Sequence, residues 1–275
     1  MARSVETGVT GGAPNLLGSF TAAARPLPEN TDWQAFGTSH VPENCGFAWL
    51  SQECAAGDDK PFNAGQEAVE FRPFLIEYNA QSCGGIPGDW ESLEGRARRG
   101  LAVRVSNALD LSLSSSIIEG GANINPNLPD LATDITPVGG AGLGTCTLAG
   151  LIQDAYACGA TGELYIHAPA WVLPALLDMQ LVTQVGNVWK MGPHTVILDQ
   201  GFSNEQPSGS AEAEAGEAWF YVTGPFEYAT GSVTVLEDTT KGVSPRLNRA
   251  NVIVAQLAIY RFDPCCVFAA LVTVC

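Results

Sequence analysis

The clearest periodic pattern in the chain is an apolar stripe between residues 89 and 113. Asp89 suits the N-cap position, and Glu91 and Glu94 suit the positive end of the helix dipole. The spacing predicts one helix of about 24 residues, roughly 36 Å long, which is long for a globular core. Apolar side chains recur at intervals of three and four residues, at Trp90, Leu93, Ala97, Leu101, Val105, Ala108 and Leu109.

A shorter alternation of helices and strands follows. An apolar face at residues 148–156 predicts a second helix, and residues 162–168 predict a strand. Pro169 is typical of the first turn of a helix, so a third helix is expected after it. Another strand is predicted at residues 195–199. This order predicts a compact α/β unit.

The rest of the second half has strand-like patterning. After an acidic loop at 203–216, strands are predicted at 218–223, 231–237, 252–260 and 266–274. An earlier strand is predicted at 71–78, where Pro73 favours an edge or a bulge. Together with the helices, these strands predict an α+β fold.

The first 68 residues carry no sustained helical or strand period. Residues 1–40 are rich in Gly, Pro, Ala and Thr, and residues 55–61 have the composition of a loop tip. Alone, such segments cannot bury enough surface to offset their ordering entropy. We therefore expect their scattered aromatic side chains to dock onto another surface.

Composition places the chain among proteins with a real core and a largely neutral surface. The 275 residues are 46% hydrophobic and 15% charged, enough for one large domain or two small ones. A protein that covers its surface against copies of itself has this composition, and so does a secreted β-rich enzyme.

The formal net charge of −16, with only 13 Lys and Arg residues, argues against sequence-specific nucleic-acid binding. A protein that grips phosphates needs a basic stripe, and the nearest candidate is the short run of Arg96, Arg98, Arg99 and Arg104. An acidic wall can still enclose DNA without binding it.

The start of the chain lacks the apolar region of a signal peptide, and no apolar run has the length of a membrane span. We therefore expect synthesis in a cytoplasm and no membrane contact. In that compartment the eight cysteines are expected to be small buried hydrophobic residues and not disulfides. The alternative is cross-linking between subunits after release from the cell.

Candidate catalytic motifs are weak. The G-x-G-x-G spacing at residues 140–144 differs from the dinucleotide fingerprint, and no Walker A or G-x-S-x-G motif occurs. His194, five residues before Asp199, is the candidate base of a hydrolase, but a structural role fits it equally. His167 is expected to face solvent or cap a turn. We predict no catalytic residue, no cofactor and no metal site.

The order of these elements resembles the major capsid proteins of tailed phages, which share the Hong Kong 97-like fold with encapsulin shells. ELYIHAPAWVLP (163–174) is similar to the family's strand-into-helix step, and GPHTVILDQGF (192–202) to the next strand. EAWFYVTG (217–224) resembles a strand leading to the domain boundary. NRANVIVAQLAIY (248–260) and DPCCVFAA (263–270) resemble the closing strands.

The resemblance implies an α+β Hong Kong 97-like capsid fold with five segments. Residues 1–40 form an N-terminal arm and residues 41–70 an extended loop. Residues 71–120 form a peripheral domain with a long spine helix, residues 121–240 an axial α/β domain, and residues 241–275 the closing strands of the peripheral domain.

The function implied is that of a subunit that self-assembles, as hexamers and pentamers, into the icosahedral capsid of a tailed double-stranded DNA phage. Portal, scaffold and decoration proteins are implied partners, and packaged DNA would lie nearby. The arm and the loop are expected to bury most of the area between subunits, so that deleting residues 1–35 abolishes shells and leaves a folded monomer. The expected contact residues are Trp33, Phe36, Trp49, Lys60 and Phe62.

Some family members cross-link a loop lysine to a neighbour's asparagine, and Lys60 lies at the predicted loop tip. The alternatives are another virion structural protein (minor capsid, decoration or tail protein), an encapsulin-like compartment shell, and a hydrolase.

Overall fold

The predicted long helix spans Trp90–Ser114, and its apolar stripe lies in the larger of two hydrophobic clusters. The computed structural model describes residues 19–27, 33–40, 68–83, 90–118, 121–137, 140–238 and 249–274. Asp89, the predicted N-cap, lies outside these ranges. Leu93, Ala97, Leu101 and Leu109 are fully buried, which confirms the stripe.

The helices confirm the predicted order. The second predicted helix is present, and the third begins with a 3-10 turn at Ala170–Val172 before its α-helical part. In the described part of the chain the α-helices are α1 (Phe20–Ala23), α2 (Trp33–Phe36), α3 (Trp90–Ser114), α4 (Leu128–Leu131), α5 (Gly144–Cys158) and α6 (Leu173–Asp178).

The strands form two large sheets and two short hairpin-like pairs. In chain order the strands are β1 (Arg25–Pro26), β2 (Thr38–His40), β3 (Val69–Phe71), β4 (Phe74–Cys83), β5 (Ile117–Ile118), β6 (Gly121–Ala122), β7 (Thr133–Asp134), β8 (Gly142–Leu143), β9 (Tyr165–Pro169), β10 (Thr183–Val185), β11 (Val188–Met191), β12 (His194–Asp199), β13 (Glu217–Thr223), β14 (Phe226–Thr230), β15 (Thr234–Asp238), β16 (Arg249–Phe262) and β17 (Phe268–Thr273).

The long strand β16 organises the five-stranded sheet. It pairs antiparallel with β4 on one side and with β14 and β15 on the other. Helix α3 packs against β4 and β16, and Gly100 permits a close approach, because a Cβ there would lie 2.4 Å from the Tyr78 ring. The Tyr260 hydroxyl donates to the carbonyl oxygens of Ser112 (3.1 Å) and Pro126 (2.9 Å), which ties the end of α3 to β16.

The eight-stranded sheet contains the predicted α/β unit. Strands β9 and β12 pair in parallel, with the 3-10 turn, α6 and the hairpin β10–β11 between them in the chain. Every residue of β9 and β12 is buried, as expected for parallel strands covered on both faces. The second hydrophobic cluster includes residues of α5, α6 and this sheet.

From β13 onwards the chain passes twice between the two large sheets. Strand β13 lies in the eight-stranded sheet, while β14 and β15 lie in the five-stranded sheet. The chain returns to the eight-stranded sheet at β17, which pairs with β13. These changes of sheet fall at residues 224–225 and 263–267.

The described part of the N-terminal arm packs against its own chain. Phe20 is fully buried and lies edge-on to the rings of Phe226 (5.9 Å) and Tyr228 (6.2 Å). Strand β1 adds in parallel to β14, and Trp33 belongs to the larger hydrophobic cluster. The expectation that deleting residues 1–35 leaves a folded monomer conflicts with this packing, because the deletion removes a core residue.

Strand β3 pairs antiparallel with β2. In this pair His40 lies opposite Val69. Residues 41–67, which make up most of the predicted extended loop, lie outside the described part of the chain. Pro73 interrupts the predicted strand at 71–78, between β3 and β4. The Asn125 amide bridges this interruption by accepting from Arg72 N (2.7 Å) and donating to Arg72 O (2.9 Å).

The prediction for the cysteines is wrong at Cys158 and Cys266, which form a disulfide across 108 residues of sequence with a Cα–Cα distance of 5.5 Å. Cys265 is also disulfide-bonded, and Cys146 is free and exposed. The expectation rested on the compartment, whereas pairing depends on the fold, which brings the end of α5 beside the turn before β17.

Candidate assembly surfaces

Asp199 joins the arm, the long helix and the eight-stranded sheet at one buried point. Its Oδ2 accepts hydrogen bonds from the Phe20 backbone N–H (3.1 Å) and the Ser106 hydroxyl (2.7 Å). Its Oδ1 accepts from the Gly201 backbone N–H (3.2 Å). Because Asp199 ends β12 and Ser106 lies on α3, this carboxylate fixes the arm to both layers of the fold.

A second carboxyl group, Asp110, lies close enough to interact with Asp199. It is fully buried on α3, and neither of its oxygens has a hydrogen-bond partner among the described residues. Burial raises the pKa of Asp110 well above its usual value, and the charge of Asp199 raises it further. The fold therefore favours the protonated form of Asp110.

His167 is fully buried in β9, so the expectation that it faces solvent or caps a turn is wrong. Its Nε2 lies 3.2 Å from the Thr223 hydroxyl, which donates to Gly224 O, and its ring packs edge-on to Phe226 at 4.8 Å. Burial lowers the pKa of His167 to about 3. A neutral imidazole packed among aromatic rings fits a structural role.

His194 is 5% exposed, and its Nδ1 accepts a hydrogen bond from the Leu164 backbone N–H at 3.4 Å. Burial lowers the pKa of His194. Within the described ranges no hydrogen bond connects its ring to a serine or cysteine side chain. The neighbouring Lys190 ammonium bonds to Glu163 and to the Thr195 hydroxyl, which forms a salt-bridged surface cluster and not a nucleophile–base pair.

A cavity of about 140 Å³ lies beside the Asp199 junction and is lined by Ser19, Asn107, Leu173, Trp189 and Asp199, among others. Small-molecule sites typically enclose roughly 300–1,000 Å³, so this cavity is small for a substrate. No group of three or more His, Cys, Asp or Glu side chains suited to a metal ion occurs among the described residues.

Within the ranges that the structure describes, none of the helices has both the length and the apolar character needed to cross a membrane.

Exposed apolar side chains occur in several separate places on the molecule. Ile117 (69% exposed) lies on β5, Ile124 (70% exposed) follows β6, and Trp171 and Leu177 lie on the segment after β9. A single exposed apolar residue needs no explanation, but several separate groups provide contact area on more than one side. The other large exposed apolar residues in the described ranges are Leu75, Val103, Leu111, Tyr156, Val185, Val235 and Leu236.

Of the predicted contact residues, Trp33 is only 8% exposed, so most of its surface is already covered by its own chain. The side chain of Phe36 and the residues Trp49, Lys60 and Phe62 lie outside the described part of the chain. The sequence interpretation missed Ile117 and Ile124, which flank or lie within a Gly-, Pro- and Asn-rich connector. Their signal was isoleucines within an otherwise polar, Gly-, Asn- and Ser-rich segment.

Solved structures share this architecture over most of their length. A structure from Mycobacterium phage Bobi matches with a TM-score of 0.56 and 13% identity, covering 98% of this chain and 95% of that chain. A chain from the capsid of the empty GTA particle matches with a TM-score of 0.54 and 10% identity, covering 94% and 89%. The chain has the Hong Kong 97-like capsid fold.

A structure from Gordonia phage Cozz shares the capsid fold at a TM-score of 0.53 and 10% identity, covering 91% of this chain and 84% of that chain. No protein-family model and no curated protein matches the amino-acid sequence. The predicted fold class is therefore confirmed by the three-dimensional arrangement of the elements, at a sequence identity that establishes the fold alone.

Proposed function

We propose that the chain is the structural subunit of an icosahedral capsid of a tailed double-stranded DNA phage, and that it resides in the virion. The observation that carries this proposal is the fold shared with a chain of the GTA particle capsid over 94% of this chain and 89% of that one. The match extends over most of both chains, so it does not rest on one small shared substructure.

The distribution of apolar surface supports assembly. A closed shell requires each subunit to contact several neighbours, so contact area must be available on several sides. Ile117 and Ile124 supply it beyond the end of α3, Trp171 and Leu177 beside α6, and Val235 and Leu236 on β15. An enzyme of this size would instead be expected to concentrate its specific features in one cleft.

The chemistry of the buried polar groups also favours a structural role. Burial lowers the pKa of His194, the candidate base, and of His167, and both make hydrogen bonds within the fold. We therefore infer that the chain acts by binding copies of itself and carries out no reaction. The proposal includes assembly as hexamers and pentamers and binding to portal, scaffold and decoration proteins. It also includes contacts between subunits through Trp33, Phe36, Trp49, Lys60 and Phe62.

The test is electron microscopy of the purified full-length chain, alone and coexpressed with its neighbouring genes. We expect closed particles with fivefold symmetry. Ile117→Ser with Ile124→Ser should reduce the yield of closed particles and leave the folded subunit intact, because both side chains are exposed. The matched control is Thr234→Ser, an exposed polar change on β15 that removes one methyl group. A monomer under all conditions would contradict the proposal.

A further inference from the structure

The exposed side of α3 carries an unusual concentration of positive charge. Four of the 13 Lys and Arg residues of the chain, Arg96, Arg98, Arg99 and Arg104, lie within nine positions on this helix, and all four are exposed. The chain as a whole has a formal net charge of −16. A basic surface in such an acidic protein indicates a partner of opposite charge.

Three of these arginines have no partner among the described residues. Arg98 bonds to Glu94 (2.7 Å) and to Val233 O (3.2 Å). Among the described residues no salt bridge or hydrogen bond engages the side chains of Arg96, Arg99 or Arg104. The Arg99 guanidinium lies over Gly95, with its Nη1 3.4 Å from where a Cβ would be, and Val103 continues the same exposed side. We call Arg96, Arg99 and Arg104 the arginine face.

Four basic side chains elsewhere in the described ranges interact with carboxylates. Arg72 pairs with Glu70, Lys190 with Glu163, and Arg261 with Glu227. Arg25 interacts with Glu163 and hydrogen-bonds to Tyr165. The arginine face differs from these four side chains, because its positive charge has no partner among the described residues.

The two sides of the five-stranded layer differ in charge. Helix α3 covers one face of the sheet, and the side chains of β4 that point away from it are neutral or acidic: Leu75, Glu77, Asn79 and Gln81. The exposed side of β4 would thus repel a polyanion or fail to bind it, whereas the arginine face would attract it.

We propose that the arginine face binds the phosphate backbone of double-stranded DNA, and that α3 consequently faces the interior of the shell. This proposal rests on the proposed capsid function, which places DNA inside the particle. Arginine suits phosphate because its planar guanidinium presents paired N–H donors. Arg96 and Arg104 are separated by about 12 Å along the helix axis, a distance over which duplex DNA carries roughly seven phosphate charges.

Contact through so few residues would let an acidic subunit bind DNA with low affinity. Duplex DNA and the rest of the chain repel each other, so binding is confined to this helix and reads no sequence. Each phosphate contact contributes about 0.9 to the slope of log K against log salt, so three arginines give a slope of about −2.7. Many copies facing one lumen would make the weak contacts effective together.

The test measures fluorescence anisotropy of a short fluorescein-labelled DNA duplex with the full-length chain, between about 50 and 200 mM salt. The variant Arg96→Gln with Arg99→Gln should lower the magnitude of the salt slope by about 1.8, since two phosphate contacts are lost. The matched control, Arg72→Gln with Arg261→Gln, removes the same charge from arginines that are already paired, and it should leave the slope unchanged.

Equal slopes for wild type and the arginine-face variant, or no DNA binding by wild type, would overturn the proposal. A variant that binds DNA normally but fails to form particles would also overturn it and would assign the face to an acidic segment of a second copy. Because anisotropy does not require particles, this result is independent of whether the chain forms shells.

Orientation is tested separately in particles carrying Arg99→Cys with Cys146→Ala, treated with a bulky maleimide reagent. Protection in intact particles with labelling after they are opened supports an inward-facing α3. Rapid labelling of intact particles would contradict it.

Discussion

The backbone N–H of Phe20 donates a hydrogen bond of 3.1 Å to Oδ2 of Asp199, joining residues 179 positions apart. The same oxygen accepts from the Ser106 hydroxyl, so one carboxylate holds the arm, α3 and the end of β12 together. This junction fixes the first described residues of the arm to the folded body.

The first prediction concerns this anchor. Phe20→Ala should lower the free energy of unfolding by about 3–5 kcal/mol, because a fully buried phenyl ring is lost from between Phe226 and Tyr228. Urea unfolding followed by tryptophan fluorescence measures the change. The matched control is Gln34→Ala, an exposed position on α2, which should change stability by less than about 0.5 kcal/mol.

Two truncations of different length test the same anchor. Deleting residues 1–18 spares Phe20, whereas deleting residues 1–35 removes Phe20, β1 and Trp33. The longer deletion should therefore destabilise the subunit itself, in addition to any effect on assembly. A fully stable fragment 36–275 would contradict the core role of the arm.

The second prediction concerns the pH dependence caused by Asp110. Its pKa is raised in the folded chain by burial and by Asp199, so the unfolded chain ionises at lower pH than the folded one. Stability is thus lost as pH rises from the unfolded value of about 3.9 towards the higher folded pKa. Asp110→Asn keeps the shape without the ionisation and should be more stable than wild type at neutral pH.

The difference between Asp110→Asn and wild type should shrink as pH falls below about 3, where the carboxyl group is protonated in both states. Unfolding in urea across the pH range measures it, and Asp154→Asn on α5 serves as a control. A stability difference that is constant with pH, or a variant less stable at neutral pH, would contradict a protonated Asp110.

Sequence patterns predicted those elements whose signal is local. The stripe from Leu93 to Leu109 fixes one buried face of a helix, because side chains three and four positions apart share a face whatever the rest of the chain does. Pro73 likewise indicated an irregular or edge strand, since proline lacks the N–H that a sheet requires, and the structure divides the predicted strand there into β3 and β4. The α/β unit followed from the order of such elements.

The features that the sequence patterns could not predict are those that depend on partners distant in sequence. Phe20 lies in a segment without periodicity, and nothing near it indicates that Phe226 and Asp199 will receive it. Asp110 interrupts no apolar stripe, yet the layers that pack around the second half of α3 bury it completely. Which sheet β17 joins is equally non-local, because alternation identifies a strand and not its neighbour.

The third prediction tests how closely α3 approaches the turn after β12. A Cβ at Gly201 would lie 2.0 Å from the Asn107 carbonyl oxygen. Because this oxygen belongs to the backbone, a side-chain rotation cannot relieve the contact. Gly201→Ala should therefore force the layers apart and cost about 1–3 kcal/mol. Gly150→Ala is the matched control, since a Cβ there meets no heavy atom within 4 Å and alanine favours a helix by up to about 1 kcal/mol.

Chemical denaturation of the two alanine variants should shift their midpoints in opposite directions. If Gly201→Ala were as stable as wild type, the close contact between α3 and the turn would not exist in solution. If both variants were destabilised equally, the loss would reflect glycine replacement in general and not the contact with Asn107.

The last prediction concerns the disulfide between Cys158 and Cys266, which ties the end of α5 to the turn before β17. Replacing both residues with alanine should lower the free energy of unfolding by about 2–4 kcal/mol, because the bond closes a loop of 108 residues in the unfolded chain. The double variant tests this bond better than a reducing agent, which would also reduce the disulfide of Cys265. Cys146→Ala is the control and should leave stability unchanged, since that thiol is free and exposed. Mass spectrometry of the non-reduced, digested protein should detect the linked peptides, and a double variant as stable as oxidised wild type would show that the bond is absent or contributes nothing.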